Sequence, residues 1–255
     1  MEIATATRQG RSTGLLPMSF WQSLGYFGIP WLILVLSIYG LLPALDRAGV
    51  PIFLNFLISL GGPLGLLIIA SCMAYQWEGR PWTWNAFRDR FRLGKMKTSA
   101  WLWSVGLAVF MFLAPGFLTF SSIWIQKLAP RPAILSQIFN IQPTTFMGIP
   151  LSRNWWILLG YLLYVVLNVF GEELWWRGYI FPRQELTFGR WTWVVHGVFW
   201  TLFHSFFYWE LITLLPGCLT LSFVAYKTKS TWPGIIAHFA NSLPGLVLIV
   251  IGVLS

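Results

Sequence analysis

Charge is what this sequence has least of. Of its 255 residues only 10% are Asp, Glu, Lys or Arg, where a soluble domain carries about 25%. Hydrophobic residues make up 56%, and mean hydropathy is +0.66. In water such a chain would expose far too much apolar surface, which excludes an ordinary soluble domain. A single polytopic membrane protein fits the length. Cysteine is scarce too. Cys72 and Cys218 lie inside apolar runs, read as small packing residues, and offer no metal-ligand spacing. Histidine is limited to His196, His204 and His238. There is no HExxH, and no two of these histidines stand three or four residues apart, so no single helix face supplies a histidine pair for a metal. The net charge of +9 comes without a basic stripe or a nucleic-acid module. Nucleic acid is therefore not an expected partner. The stretch MEIATATRQGRSTGLLPMSF lacks the short apolar core of a signal peptide, so the first apolar run reads as a retained anchor.

What the chain does have is long apolar runs. A bilayer core about 30 Å thick needs roughly 20 apolar residues as a helix. Seven segments qualify, near 20–45, 51–75, 100–128, 154–181, 191–209, 210–226 and 231–253. The expected fold is an all-α, polytopic transmembrane helical bundle of about seven spans, with six to eight as the range. The third segment carries APG at 114–116, a kink signal. The sixth is short and contains Pro216 and Gly217, so it reads as kinked or re-entrant. In the fourth, nothing stops the helix before Pro182. No internal repeat is visible.

The loops orient the bundle. One side collects Arg8, Arg11, Arg80, Arg88, Arg90, Arg92, Lys95, Lys97, Arg183, Arg190, Lys227 and Lys229; the other has only Arg47, Lys127, Arg131 and Arg153. The positive-inside rule makes the first side, and the N-terminus, cytoplasmic. The expected layout is a polar tail at 1–19, N-terminal transmembrane helices at 20–149, and a catalytic helical core at 150–255. Residues 82–97, WTWNAFRDRFRLGKMK, mix aromatic and basic side chains, as an amphipathic segment lying on anionic headgroups would, or a solvated basic loop with Trp anchors. The Pro-rich 130–153 stretch reads as a connector, with a covering loop as the alternative. The expected setting is a plasma membrane of a prokaryote, or an organelle or endomembrane.

Ionisable groups at membrane depth cost about 2.5–3.5 kcal/mol each on insertion scales and usually face the bundle interior. Here they are few. Glu173 and Arg177 stand at i and i+4, the favourable order for an ion pair on one helix face. Glu172 lies about 100° around the helix and is left spare. The alternative for the group is a structural ion-pair knot near the helix end, with Arg177 snorkelling to headgroups. His204 sits about 20 Å into the fifth span, with Trp200 on its face, and Glu172 about 14 Å from the end of the fourth. His238 is about 10 Å into the last span, with Asn241 and Ser242 on its face. Those depths overlap, so three helices would bring their polar groups to one level. His196 is nearer the interface and reads as a core residue.

These residues carry a resemblance. EELWWR, with Glu172, Glu173 and Arg177, fits an EExxxR motif. WTLFH, with Trp200 and His204, fits an aromatic followed four residues later by His, and HFANS at His238 is similar to a third motif. In this order they resemble the CPBP family of intramembrane endopeptidases, the CAAX-protease and bacteriocin-processing type, over about residues 150–250. The resemblance implies an α-helical enzyme that hydrolyses a peptide bond of a membrane-associated protein or peptide. It implies that Glu172 and His204 activate water while His238 and an amide stabilise the oxyanion. One departure is plain. The third motif commonly has Asn or Asp four residues after its His; here that position is Ser242, and the amide is one earlier, at Asn241. Which of them assists His238 stays open.

Trp200, Phe181 and Ser242 are expected to line the substrate. No metal is assigned; a divalent ion such as zinc stays open, and Glu172, His204 and His238 would be its ligands. Two competing functions remain: a non-proteolytic scaffold or immunity protein of the same fold, and a proton-coupled transporter. The absence of an inverted repeat counts against the transporter.

Overall fold

The computed structural model describes residues 14–255. The first part of the expected N-terminal tail, with Arg8 and Arg11, lies outside the described residues. Helices α1 (Phe20–Arg47) and α2 (Ile52–Trp77) come first. Each contains one π turn, Ser37–Leu41 in α1 and Leu57–Gly61 in α2. Such a turn disturbs the backbone ladder, and in an apolar medium polar side chains must make good the loss. They do so here. Ser37 Oγ donates to the Ser59 carbonyl at 2.6 Å, Ser59 Oγ to Asn55 Oδ1 at 2.9 Å, and Asn55 Nδ2 to the Leu42 carbonyl at 2.9 Å.

The 82–97 segment yields a single short helix, α3 (Trp84–Arg90), capped by Thr83. Arg90 and Phe91 are buried, so this stretch is pinned into the bundle rather than simply laid on its surface. Helix α4 (Thr98–Leu128) then runs unbroken through Pro115. The 130–153 stretch is not a plain connector. It holds α5 (Ala133–Ile138) and a two-residue hairpin, β1 (Thr145–Phe146) paired antiparallel with β2 (Ile149–Pro150). It buries Leu135, Ile138, Phe146, Met147 and Leu151 in the core. Its Pro-rich sequence hid that spaced apolar set.

Five helical runs are long and apolar enough to cross a membrane, and the fourth of them covers Trp155–Thr228, 74 residues. At 1.5 Å per residue that is roughly 110 Å, over three bilayer cores, so it must fold back. It consists of α6 (Trp155–Glu172), a π segment (Glu173–Ile180), α7 (Phe181–Phe188), α8 (Thr192–Phe203), a 3-10 segment (His204–Glu210) and α9 (Leu211–Thr228). Gly189, with φ of +51°, closes α7. Phe207, at φ −114° and ψ 59°, breaks the 3-10 segment, and α8 and α9 then pack along one another. Helix α9 continues through Pro216. The last helix, α10 (Trp232–Leu254), packs against α4 and α6. It runs antiparallel to α6: Arg153 N–H, before α6, donates to the Val253 carbonyl at 3.1 Å, while Gly234 meets Glu173 at the far end. That pairing brings His238 level with the end of α6.

Candidate functional site

The site is built where α6 gives way to the π segment. Pro182 has no N–H, so an α-helical ladder would leave the Gly178 carbonyl, four residues back, without its donor. Arg90 supplies one. Its Nη1 donates to Gly178 O at 2.8 Å and its Nη2 to Tyr179 O at 3.4 Å. The rest of the Arg90 fork grips Glu78, Nε to Oε2 at 2.6 Å and Nη2 to Oε1 at 2.7 Å. Burial pushes the Glu78 carboxyl up, but hydrogen bonds and charge from Arg90, then Arg80, outweigh burial and hold it below the ordinary carboxylate range. The last residue of α3 thus fastens the backbone just beyond the two glutamates.

Both glutamates are buried, Glu172 4% and Glu173 0% exposed. They face different partners. Trp200 Nε1 donates to Glu172 Oε2 at 2.8 Å, and His204 Nε2 stands 4.0 Å from the same oxygen. His204 Nδ1 lies 2.8 Å from the Trp200 carbonyl. A carbonyl only accepts, so Nδ1 carries the proton there, and a neutral His204 turns an unprotonated Nε2 toward Glu172. Glu173 Oε1 instead lies 3.3 Å from His238 Nδ1 and 3.1 Å from Arg177 Nη1. The Arg177 approach is close in distance but out of line for a hydrogen bond: all three guanidinium nitrogens, and Glu173 Oε2, lack a hydrogen-bond partner among the described residues. What faces the guanidinium is the Trp200 ring, 3.5 Å away, a cation–π contact that partly replaces its lost water. Gly234 makes this geometry possible, because a Cβ there would land on the Glu173 carboxylate.

The expected gathering of three helices at one level is present: Glu172, Glu173 and Arg177 meet Trp200 and His204 from α8 and its end, and His238 from α10. The spare carboxylate, however, is shared out differently. Glu172 goes to His204, and His238 goes to Glu173. Trp200 is 3% exposed and forms the wall between the two halves, with ring centroids 5.3 Å from His204 and 6.3 Å from His238. Three expected contributors stand elsewhere. Asn241 is exposed. Ser242 Oγ donates to the His238 carbonyl of its own helix at 3.3 Å. Phe181 is fully buried with its ring edge-on to His196, and His196 is held by Gln184 Oε1 at 2.7 Å.

The amide at His238 is one the motifs did not mark. Asn168 Nδ2 lies 3.3 Å from His238 Nε2. The signal was in the sequence: Asn168 is the one amide in WWILLGYLLYVVLNVF, and it stands four residues before Glu172, on the same helix face. A shared metal is a poor fit to these donors. His238 has one ring nitrogen toward Glu173 and the other toward Asn168, and among the described residues no three His, Cys, Asp or Glu groups are placed to hold one ion.

Residues 154–243 match the Rce1-like family of type II CAAX prenyl endopeptidases. The Rce1-like region runs from the start of α6 into α10 and contains every residue of the polar centre just described, from Asn168 to His238. A protease is therefore the kind of function the match supports. With five long apolar helices, the chain is an integral membrane protein. Comparison with curated proteins and with solved structures gives no match.

Proposed function

We propose that this chain is a multi-pass intramembrane endopeptidase in which Glu172 and His204 activate water. Seven passes, with the Arg- and Lys-rich loops cytoplasmic, follow from reading the 74-residue run as three crossings. The observation that carries the chemistry is the 4.0 Å gap between Glu172 Oε2 and His204 Nε2. Both faces of that gap accept hydrogen bonds. A water between them gives one proton to each side and keeps an oxygen lone pair free to attack.

The reaction then balances simply. Water oxygen bonds to the peptide carbonyl carbon, and its proton passes to Glu172 or His204. The carbonyl oxygen takes negative charge. The C–N bond breaks, the stored proton goes to the leaving amine, and a carboxylic acid remains. His238, with Glu173 at its Nδ1 to balance an imidazolium, donates from Nε2 to the developing oxyanion in place of its contact with Asn168. Asn168, beside that Nε2, is better placed than Asn241 or Ser242 to supply the accompanying donor. Arg177 and Glu173 hold the π segment and set the local field. The mechanism uses no metal ion, and a chelator is expected to leave the rate unchanged.

The family match favours a membrane-bound protein tail as substrate, with prenylated C-termini as the first class to try. The test is a cleavage reporter in vesicles, with Glu172→Gln and His204→Ala matched to wild type in amount and thermal stability. Loss of cleavage in both supports the assignment. Retained cleavage in either overturns it, and retained biological activity without cleavage would favour a scaffold.

A further inference from the structure

A polar cavity lies outside the site. It measures about 610 Å³ and is walled by residues 92–103 and 227–230, where α4 begins and α9 ends. Five cations border it: Arg92, Lys95, Lys97, Lys227 and Lys229. Glu185 pairs with both Arg92 and Lys229, and Asp89, also on the wall, is taken by Arg88 at 2.9 Å. No ion pair among the described residues includes Lys95, Lys97 or Lys227.

Two of these lysines, Lys95 and Lys97, are exposed and stand beside a helix end that disfavours cations. Helix α4 has 31 residues, and its first turn carries no acidic residue and no side-chain cap. The N-terminus of a helix holds partial positive charge, so cations near it are disfavoured and anions favoured. Lys95 and Lys97 precede that end. Lys227, at the C-terminus of α9, would be favourable for its own helix, but it adds to the same positive field. The cavity frame is fixed rather than loose. Thr231 Oγ1 donates to Phe91 O at 2.6 Å, Thr231 N to Arg92 O at 3.0 Å, and Trp232 Nε1 to Leu93 O at 2.9 Å. Trp103 supplies an aromatic wall beside the cations, as at a headgroup–acyl boundary.

We propose that this cavity binds a phosphate-bearing anionic group, and that the group is the headgroup of a membrane lipid. The phosphate relieves the repulsion between Lys95, Lys97 and the α4 N-terminus, while Lys227 closes on it from α9. The experiment uses the full chain in detergent, titrated with short-chain phosphatidylglycerol and followed by thermal stability. Parallel titrations use short-chain phosphatidylcholine and inorganic phosphate. Phosphatidylglycerol is expected to stabilise the wild type, with phosphatidylcholine and inorganic phosphate doing so only weakly. The combined Lys95→Gln, Lys97→Gln, Lys227→Gln variant is expected to lose on the order of a hundredfold in apparent affinity, at about 1 kcal/mol per lysine. A control variant, Arg47→Gln, Lys127→Gln, Arg131→Gln, is expected to bind as wild type. An unchanged response in the first variant, or equal loss in the control, overturns the site. Equal stabilisation by inorganic phosphate keeps the phosphate site and overturns the lipid. No outcome depends on peptidase activity.

Discussion

The polar ladder between α1 and α2 and the polar centre between α6, α8 and α10 are both buried, both adjoin π turns, and both lie within long apolar runs. They differ in satisfaction. Each hydroxyl and amide of Ser37, Asn55 and Ser59 has a hydrogen-bond partner. Among the described residues, the centre instead leaves Glu173 Oε2 and the whole Arg177 guanidinium without one. Buried polar groups in native proteins are nearly always paired, and the exceptions call for a reason. The ladder repairs its own backbone and can be understood with no ligand. The centre holds two carboxylates, a cation and two imidazoles in a fixed arrangement whose unmet capacity suits a visiting polar group. The difference marks out the centre more sharply than polarity or burial alone.

The contrast can be broken by substitution. Glu172→Gln should cut cleavage about 10²–10⁴-fold while leaving the thermal unfolding midpoint near wild type, as a reporter assay beside a melting curve would show. Arg177→Met should act on stability, by about 3–5 kcal/mol, because it strands the buried Glu173 charge. The Glu173→Met, Arg177→Met double variant should recover much of that loss in denaturant titrations, and failure to recover would contradict the pairing. Asn168→Leu should lower kcat on the order of 10²-fold with little change in KM, whereas Asn241→Ala should change neither. Asn55→Leu, in the ladder, should cost about 1–3 kcal/mol and leave kcat of the folded fraction intact. The smallest effect concerns Glu78. Its folded carboxyl is held low, so the stability it lends is present above the unfolded value of about 4.3 and fades as pH falls through the lower folded value. Glu78→Gln should therefore flatten the acid side of a stability–pH curve.

Much of this was legible in the residues. The apolar runs marked the helices, and EELWWR, WTLFH and HFANS marked the three places where polar groups meet. Helix spacing also assigned the Glu173–Arg177 pair. What escaped depended on register and on long-range partners. Regular 100° spacing cannot show that the chain turns π at Glu173, nor that each glutamate takes its own histidine. Asn241 looked suited to His238 from α10 alone; only the packing of α6 puts Asn168 there and leaves Asn241 outside. Arg90 read as one cation of a basic surface segment. Its burial follows from the missing N–H of Pro182, nearly a hundred positions along the chain. The apolar set in 130–153 was masked by prolines that argue for a connector.

That Arg90 fork bears on modularity. The region that matches the protease family begins at residue 154, yet the donor completing its π segment comes from residue 90 and is itself anchored by residue 78. The matching region is thus not a transplantable cassette. Grafted or trimmed without its first hundred residues, it would keep every motif and lose the brace that holds Glu172 and Glu173 in place.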